Sequence, residues 1–396
     1  MATQYLQGFE QVIPTSVAVG QVLPSEFADF YGLSTPEVSS DWFFNSSGSQ
    51  DETSGPMITE DDARVTGQCL RIRRPNAGVY QSNFNGSASI TLSKALTDQT
   101  TVIVGFAVKY SKPSEVPLPL LAFVNATDGE EQTSLWVTPE GAILASSVDW
   151  DVTNTGIITP TAVASGQSDD AVFNFQRWMY VEAKLDTGAA TPKLTVAINN
   201  KIVLEIENAS IQKSASATTI NKVSICNPHN LYFVGDEYTM FVDDIYVLDG
   251  TDDVNNDILG PQYVMFLPAG SPVEAQFTNQ GGAVSNAAAV GVQFDKTDLL
   301  DFAEAAIDAI NDWFTPAALP VEAGTVTVLA VGAFVSIDSG SDPLDLEVKK
   351  GSDVATVNVP VNASTPIYRD AYYDKTPDAL VWDRTRVKQV RIGVGS

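Results

Sequence analysis

Short runs of alternating apolar and polar residues recur along most of the chain, broken by Gly, Pro and Asn/Asp turns. Successive side chains of a strand point to opposite faces, so such runs predict many short strands. In the first half the predicted strands are 70–72, 87–92, 102–110 (VIVGFAVKY), 118–124, 134–137, 142–145, 177–185 (RWMYVEAKL), 193–198 (KLTVAI), 202–206, 222–226 and 239–248. Asn199-Asn200 lies between two strongly β runs and predicts a tight hairpin; Pro139-Glu140-Gly141 predicts a turn. Regularly spaced short strands indicate a sandwich or jelly roll. Two polar stretches, 30–66 and 153–170, predict long surface excursions.

The texture changes after Gly260. Residues 262–267 predict a strand ending at Pro268. The run DLLDFAEAAIDAINDWF, 298–314, leaves the β pattern: Leu299, Phe302, Ala303, Ala306, Ile307, Ile310, Trp313 and Phe314 recur at helical spacing. Asp301, Glu304, Asp308 and Asp312 take the other face, Asp298 stands at the N-cap and Pro316 lies past the end, so an amphipathic helix is predicted. Beyond Gly324, 326–337 is nearly continuously apolar and predicts a central buried strand. Strands 344–349 and 354–359 flank the turn Lys350-Gly351-Ser352, and 386–394 closes the chain. The expected fold is mainly β: a concanavalin/laminin-G-like jelly-roll sandwich over 1–250, a linker at 251–261, and a smaller β-sandwich-like domain with one helix over 262–396.

The join carries the most informative run, FVDDIYVLDGTDDVNNDILG (241–260). Alternation places Phe241, Asp243, Ile245 and Val247 on one face and Val242, Asp244, Tyr246 and Leu248 on the other. Each face is apolar except for one carboxylate, as expected of a strand covered on both sides. Unpaired buried charge is costly, so we read Asp243 and Asp244 as caps on neighbouring amides, with a metal or ligand site as the alternative. The loop that follows offers Asp249, Thr251, Asp252, Asp253, Asn255, Asn256 and Asp257, hard oxygen ligands of the kind calcium takes. Its spacing departs from the EF-hand template, since Ile258 stands where Gly is needed, so we read these residues first as turn formers in an interdomain linker, with a calcium site as the lesser reading.

Composition narrows the function. In 396 residues, 44% are hydrophobic and 18% charged, which is a folded chain with room for two domains. A formal charge of −27 argues against nucleic acid as a partner, because phosphate binding draws on clustered Lys and Arg. The basic clusters 71–74 (RIRR) and 384–391 are expected to be solvated strand ends, with docking points on an acidic partner or a second copy as the lesser reading. Cys69 and Cys226 sit in apolar stretches and make no disulfide framework. The N-terminal MATQYLQGFEQV lacks the basic-then-apolar pattern of a signal peptide, and no stretch is apolar enough to insert into a membrane, so synthesis in a cytoplasm is expected.

Candidate chemistry is sparse. Paired carboxylates on one strand face are the glycosidase device, and Glu205-Ile206-Glu207 is the nearest approach to it, with Glu182 a weaker candidate. Alternation sets Val203, Glu205 and Glu207 opposite Ile202, Leu204 and Ile206, which reads as an ordinary solvated face. The single histidine, His229, lies in a polar loop, and no GxSxG elbow accompanies it. No catalytic residues are assigned. Trp42 with Phe43 and Phe44, Trp136 and Trp150 are candidate sugar platforms or core residues; Trp178 and Trp382 are assigned to the two cores.

Several short pieces, in order, resemble a family of bacteriophage virion structural proteins: Gly8-Phe9-Glu10, 67–71 (GQCLR), 101–106 (TVIVGF), Trp178 with 180–182 (YVE), and 196–200 (VAINN). The likeness continues through 241–260, 326–331, Tyr372-Tyr373, Trp382 and Ile392-Gly393-Val394. The resemblance implies a laminin-G/concanavalin-like jelly roll followed by a small second β domain. It also implies a non-enzymatic part of a tailed-phage virion, tail-associated or decorating the capsid, made in the host cytoplasm and partnered by other virion proteins and its own copies. The alternative is a carbohydrate-binding adhesin or tail-fibre component meeting host surface glycans, with calcium.

Overall fold

The computed structural model describes residues 3–7, 55–59, 64, 68–74, 91–113, 117–125, 130–147, 166–208, 211–213, 218–226, 238–280, 285, 302–304, 311–319, 325–336, 342–361 and 367–395. Its chain divides into two compact units: Val17–Thr251 with Asn256–Tyr263, and Met1–Ser16 with Asp252–Asn255 and Val264–Ser396. Residues 252–255 belong to one unit and 256–263 to the other. The N-terminal strand β1 (Thr3–Gln7) goes with the second unit, where the expectation put it in the first. Within that unit the Asp374 carboxylate accepts the Thr3 amide at 3.2 Å and the Thr3 hydroxyl at 2.5 Å.

The first unit holds β2 (Gly55–Thr59), β3 (Cys69–Arg74), β4 (Thr91–Gln99), β5 (Thr101–Tyr110), β6 (Leu118–Asn125), β7 (Glu130–Val137), β8 (Ile143–Ser146), β9 (Met179–Asp186), β10 (Lys193–Ile198), β11 (Lys201–Glu207), β12 (Ile220–Cys226) and β13 (Tyr238–Leu248). One antiparallel sheet runs β11-β10-β9-β5-β13-β3-β2 and the other β4-β12-β6-β7-β8. This is the expected jelly-roll sandwich. Central strands β5, β9 and β13 are buried almost throughout, as strands covered on both faces must be. The last strand of the unit, β13, lies between β5 and the early β3, which closes the sheet. Asn199 and Asn200 turn β10 into β11 with φ of +50° and +67°, the two left-handed residues of a type I′ hairpin.

The second unit holds β14 (Ala269–Glu274), β15 (Thr278–Gln280), β16 (Phe302–Glu304), β17 (Asn311–Pro316), β18 (Leu329–Val335), β19 (Asp342–Lys350), β20 (Asp353–Val361), β21 (Ile367–Tyr373), the short helix α1 (Arg384–Val387) and β22 (Arg391–Gly395). One sheet runs β14-β17-β22-β19-β20, and two-stranded ladders join β15 to β16 and β18 to β21. Trp382 anchors the core beside Leu346, Val348, Tyr373 and Val387, its indole N–H donating to the Tyr373 carbonyl at 2.5 Å.

The predicted helix at 298–314 is corrected where it is described: Phe302–Glu304 and Asn311–Pro316 are strands. Asp312, a solvent position on the predicted helix, is buried and accepts the Gln276 and Phe277 amides at 2.6 and 2.8 Å. Trp313 and Phe314, neighbours in sequence, are both buried, as in a strand covered on both faces, and β14 and β22 pair on either side. Ladder pairing overrides local spacing here. Two smaller expectations also shift. Residues 262–267 are not a strand; pairing begins after Pro268, on the edge strand β14. The apolar run 326–337 is not a central strand where it is described, because among the described residues β18 pairs with β21 alone and leaves Ala330 and Gly332 in solvent.

Candidate functional site

Strand β9 projects Tyr180, Glu182 and Lys184 at alternate positions toward one face, and the segment Asn256–Tyr263 is fastened over them. We call that segment the strap. Glu182 is fully buried and its Oε1 accepts three donors: the Tyr246 hydroxyl at 2.5 Å, the Gly260 amide at 2.8 Å and the Leu259 amide at 3.0 Å. Among the described residues no group donates to Oε2. Burial pushes the Glu182 carboxyl above the ordinary glutamate range, although the Tyr246 hydroxyl and the two amides pull it down. Burial and the Glu182 charge hold the Tyr246 phenol firmly protonated.

Gly105 makes this arrangement fit. Its register partners are Glu182 on one side and Tyr246 on the other, so the tyrosine ring crosses over it to reach the carboxyl. A Cβ on Gly105 would meet the ring at 2.2 Å. Gly260 turns the strap with φ of +79°, a conformation strained for residues with a Cβ. Lys184 holds the strap at its start, donating to the Asn256 carbonyl at 3.2 Å and to Asp257 at 3.0 Å. The Asp257 carboxyl lies lower than usual: burial opposes this, but the Ile258 amide and Lys184 outweigh it.

Arg64 holds the strap's far end. Its guanidinium donates to the Gln262 carbonyl at 2.6 Å and to Asp244 at 2.8 Å, and it stacks 4.7 Å from the Tyr180 ring and 4.2 Å from the Tyr263 ring. Asp244 is set up for this by a β-bulge. Asp243 pairs with Ala107 but Tyr246 pairs with Gly105, so Asp244 and Ile245 stand opposite Phe106 alone. Asp244 takes φ of +49°, and the Asp243 carboxylate accepts its amide at 2.8 Å. The simple two-face alternation expected of 241–248 therefore breaks at Asp244. Both aspartates bind protein donors, Asp243 an amide and Asp244 a guanidinium.

The calcium candidates separate. Asp249 caps its own turn, accepting the Thr251 amide at 2.9 Å and hydroxyl at 2.6 Å. Asp257 faces Lys184, while Asp252, at 3.1 Å, and Asp253 both face Lys375. Asn255 donates to the Thr327 carbonyl at 3.2 Å and to Asp374 at 2.8 Å. Among the described residues no group of three or more His, Cys, Asp or Glu gathers to hold a metal ion.

Glu205 and Glu207 lie on the edge strand β11, exposed, with Lys193 3.4 Å from Glu205. A bulge at Val203 breaks the expected alternation there and turns Ile202 out to solvent. Trp136 is buried, its N–H donating to Ser134 at 3.1 Å, so it is a core residue and no platform. Trp178 is half-buried with its edge against Phe241. Cys69 is buried and forms no disulfide. His229, Trp42, Phe43, Phe44, Trp150 and the Cys226 side chain lie outside the described residues. Sequence reasoning missed Arg64, a lone arginine at the end of a polar, acidic stretch, and took Tyr246 only as a strand residue. No helix among the described residues is long and apolar enough to cross a membrane.

No family profile and no curated protein matches the chain. Among solved structures it is similar to a cellulose-induced protein, Cip1, at 10% identity and a TM-score of 0.34, covering 52% of this chain and 88% of that one. It is also similar to the botulinum neurotoxin serotype C1 binding domain (7% identity, TM-score 0.32, 82% and 81% covered). A third is an endo-1,3-β-glucanase from Streptomyces sioyaensis (12% identity, TM-score 0.32, 63% and 96% covered). Likeness this distant carries no functional argument, and the reading below rests on this chain's own geometry and sequence.

Proposed function

We propose that the chain is a non-enzymatic structural component of a tailed-phage virion, working through assembly contacts and an exposed lectin-like unit. One observation supports the non-enzymatic part: the buried carboxylates are spent on internal fastening. Glu182 takes three protein donors, Asp244 a guanidinium and Asp312 two amides. A general acid or base must instead reach a substrate proton. The virion assignment is supported by the ordered pieces shared with phage structural proteins. Mass spectrometry of purified virions tests it: the chain should be present in many copies, and absence from virions overturns the proposal.

A second reading, glycan binding, is favoured by Tyr263. The residue is 55% exposed and its ring lies 4.2 Å from the Arg64 guanidinium, the state of an aromatic able to stack on a sugar. A glycan array separates the readings, because a pure scaffold stays silent on it. A signal lost in Tyr263→Ala and kept in chelator would establish glycan binding without calcium.

A further inference from the structure

We propose that fastening of the strap is proton-linked through Glu182: the strap is held most firmly while that carboxyl is protonated, and loosens as it ionises. The carboxyl is fully buried, with three protein donors crowded on Oε1. Among the described residues none donates to Oε2. An ionised carboxylate offers acceptor sites on both oxygens, and burying one oxygen without donors penalises the charged form.

The groups facing Glu182 pull in both directions, and burial outweighs the three donors. From β13 come the neutral Tyr246 hydroxyl and, beyond Tyr180, the Asp244–Arg64 pair. Strand β9 itself carries Tyr180 and Lys184, while β5 sets Gly105 and β10 sets Ala197 opposite Glu182 in register. The strap brings two amides and Asp257, whose charge adds to the upward push on Glu182. A carboxyl raised in the strapped state binds its proton more tightly there than in the released state. Its contribution is therefore fully present below the ordinary glutamate range and is lost as pH rises through the raised value. Asp257 runs the other way: its lowered carboxyl contributes at neutral pH and loses that contribution in acid. The two trends are opposite, so they can be told apart.

Hydrogen exchange on the full chain tests the link. After correction for intrinsic rates, protection of the Leu259 and Gly260 amides should fall severalfold from about pH 4 to about pH 8. In Glu182→Gln the fall should vanish while β5 and β9 amides keep their protection. Tyr246→Phe provides an independent arm: it removes a donor that favours the ionised carboxyl, so the fall should move to higher pH. Flat protection in the wild type, an equal fall in Glu182→Gln, or an unmoved fall in Tyr246→Phe would each overturn the proposal. If Glu182→Gln does not fold, the wild-type and Tyr246→Phe profiles still decide it.

Discussion

Two glutamate-bearing faces stand two strands apart in one sheet and have opposite fates. On the central strand β9, Glu182 is fully buried and gathers three donors. On the edge strand β11, Glu205 and Glu207 are exposed, and Lys193 is 3.4 Å from Glu205. In sequence the pair looked the better chemical candidate, because two carboxylates at alternate positions resemble a catalytic dyad. Position in the sheet reverses the ranking. An edge carboxylate is solvated and energetically slight, whereas a central one must be satisfied by the fold and so becomes part of it.

That contrast can be broken, beginning with its largest effect. Glu182→Ala should destabilise the first unit by about 3 kcal/mol or more, because the Tyr246 hydroxyl and two amides lose their acceptor. Urea unfolding followed by tryptophan fluorescence measures it. Arg64→Ala should cost about 3 kcal/mol in the same assay, since it removes the guanidinium paired with the buried Asp244 carboxylate. Gly105→Ala should cost about 1–3 kcal/mol by forcing the Tyr246 ring off Glu182. Asn199→Ala should cost about 1 kcal/mol, losing the side-chain acceptor of the Tyr180 amide at 2.8 Å in a turn that needs positive φ.

Much of the sandwich was legible because its signals are local. Alternation located β5, β9, β10 and β13, and the Asn-Asn pair fixed a hairpin whose two residues do adopt left-handed angles. The helix failed where it is described because Asp312, Trp313 and Phe314 are placed by ladder partners distant in sequence. The bulge at Asp244 was equally hidden, since one extra residue in a ladder leaves no mark on composition. The fastening site depends on five separate stretches, around Arg64, Gly105, Glu182, Asp244–Tyr246 and the strap. Nothing in any one of them announces the others. The aspartates of 243–257 were visible as a cluster, yet the fold distributes them among separate partners: Arg64, Lys184, Lys375, and turn hydroxyls and amides.

The smallest expected effect belongs to the edge: Glu205→Ala together with Glu207→Ala should change stability by no more than about 0.5 kcal/mol. Setting that double variant beside Glu182→Ala in one urea series tests most directly whether central carboxylates fasten the fold while edge ones do not. The account predicts a wild-type unfolding midpoint for the edge variant and a clearly lowered one for Glu182→Ala. Equal midpoints, or a larger loss in the edge variant, would contradict it.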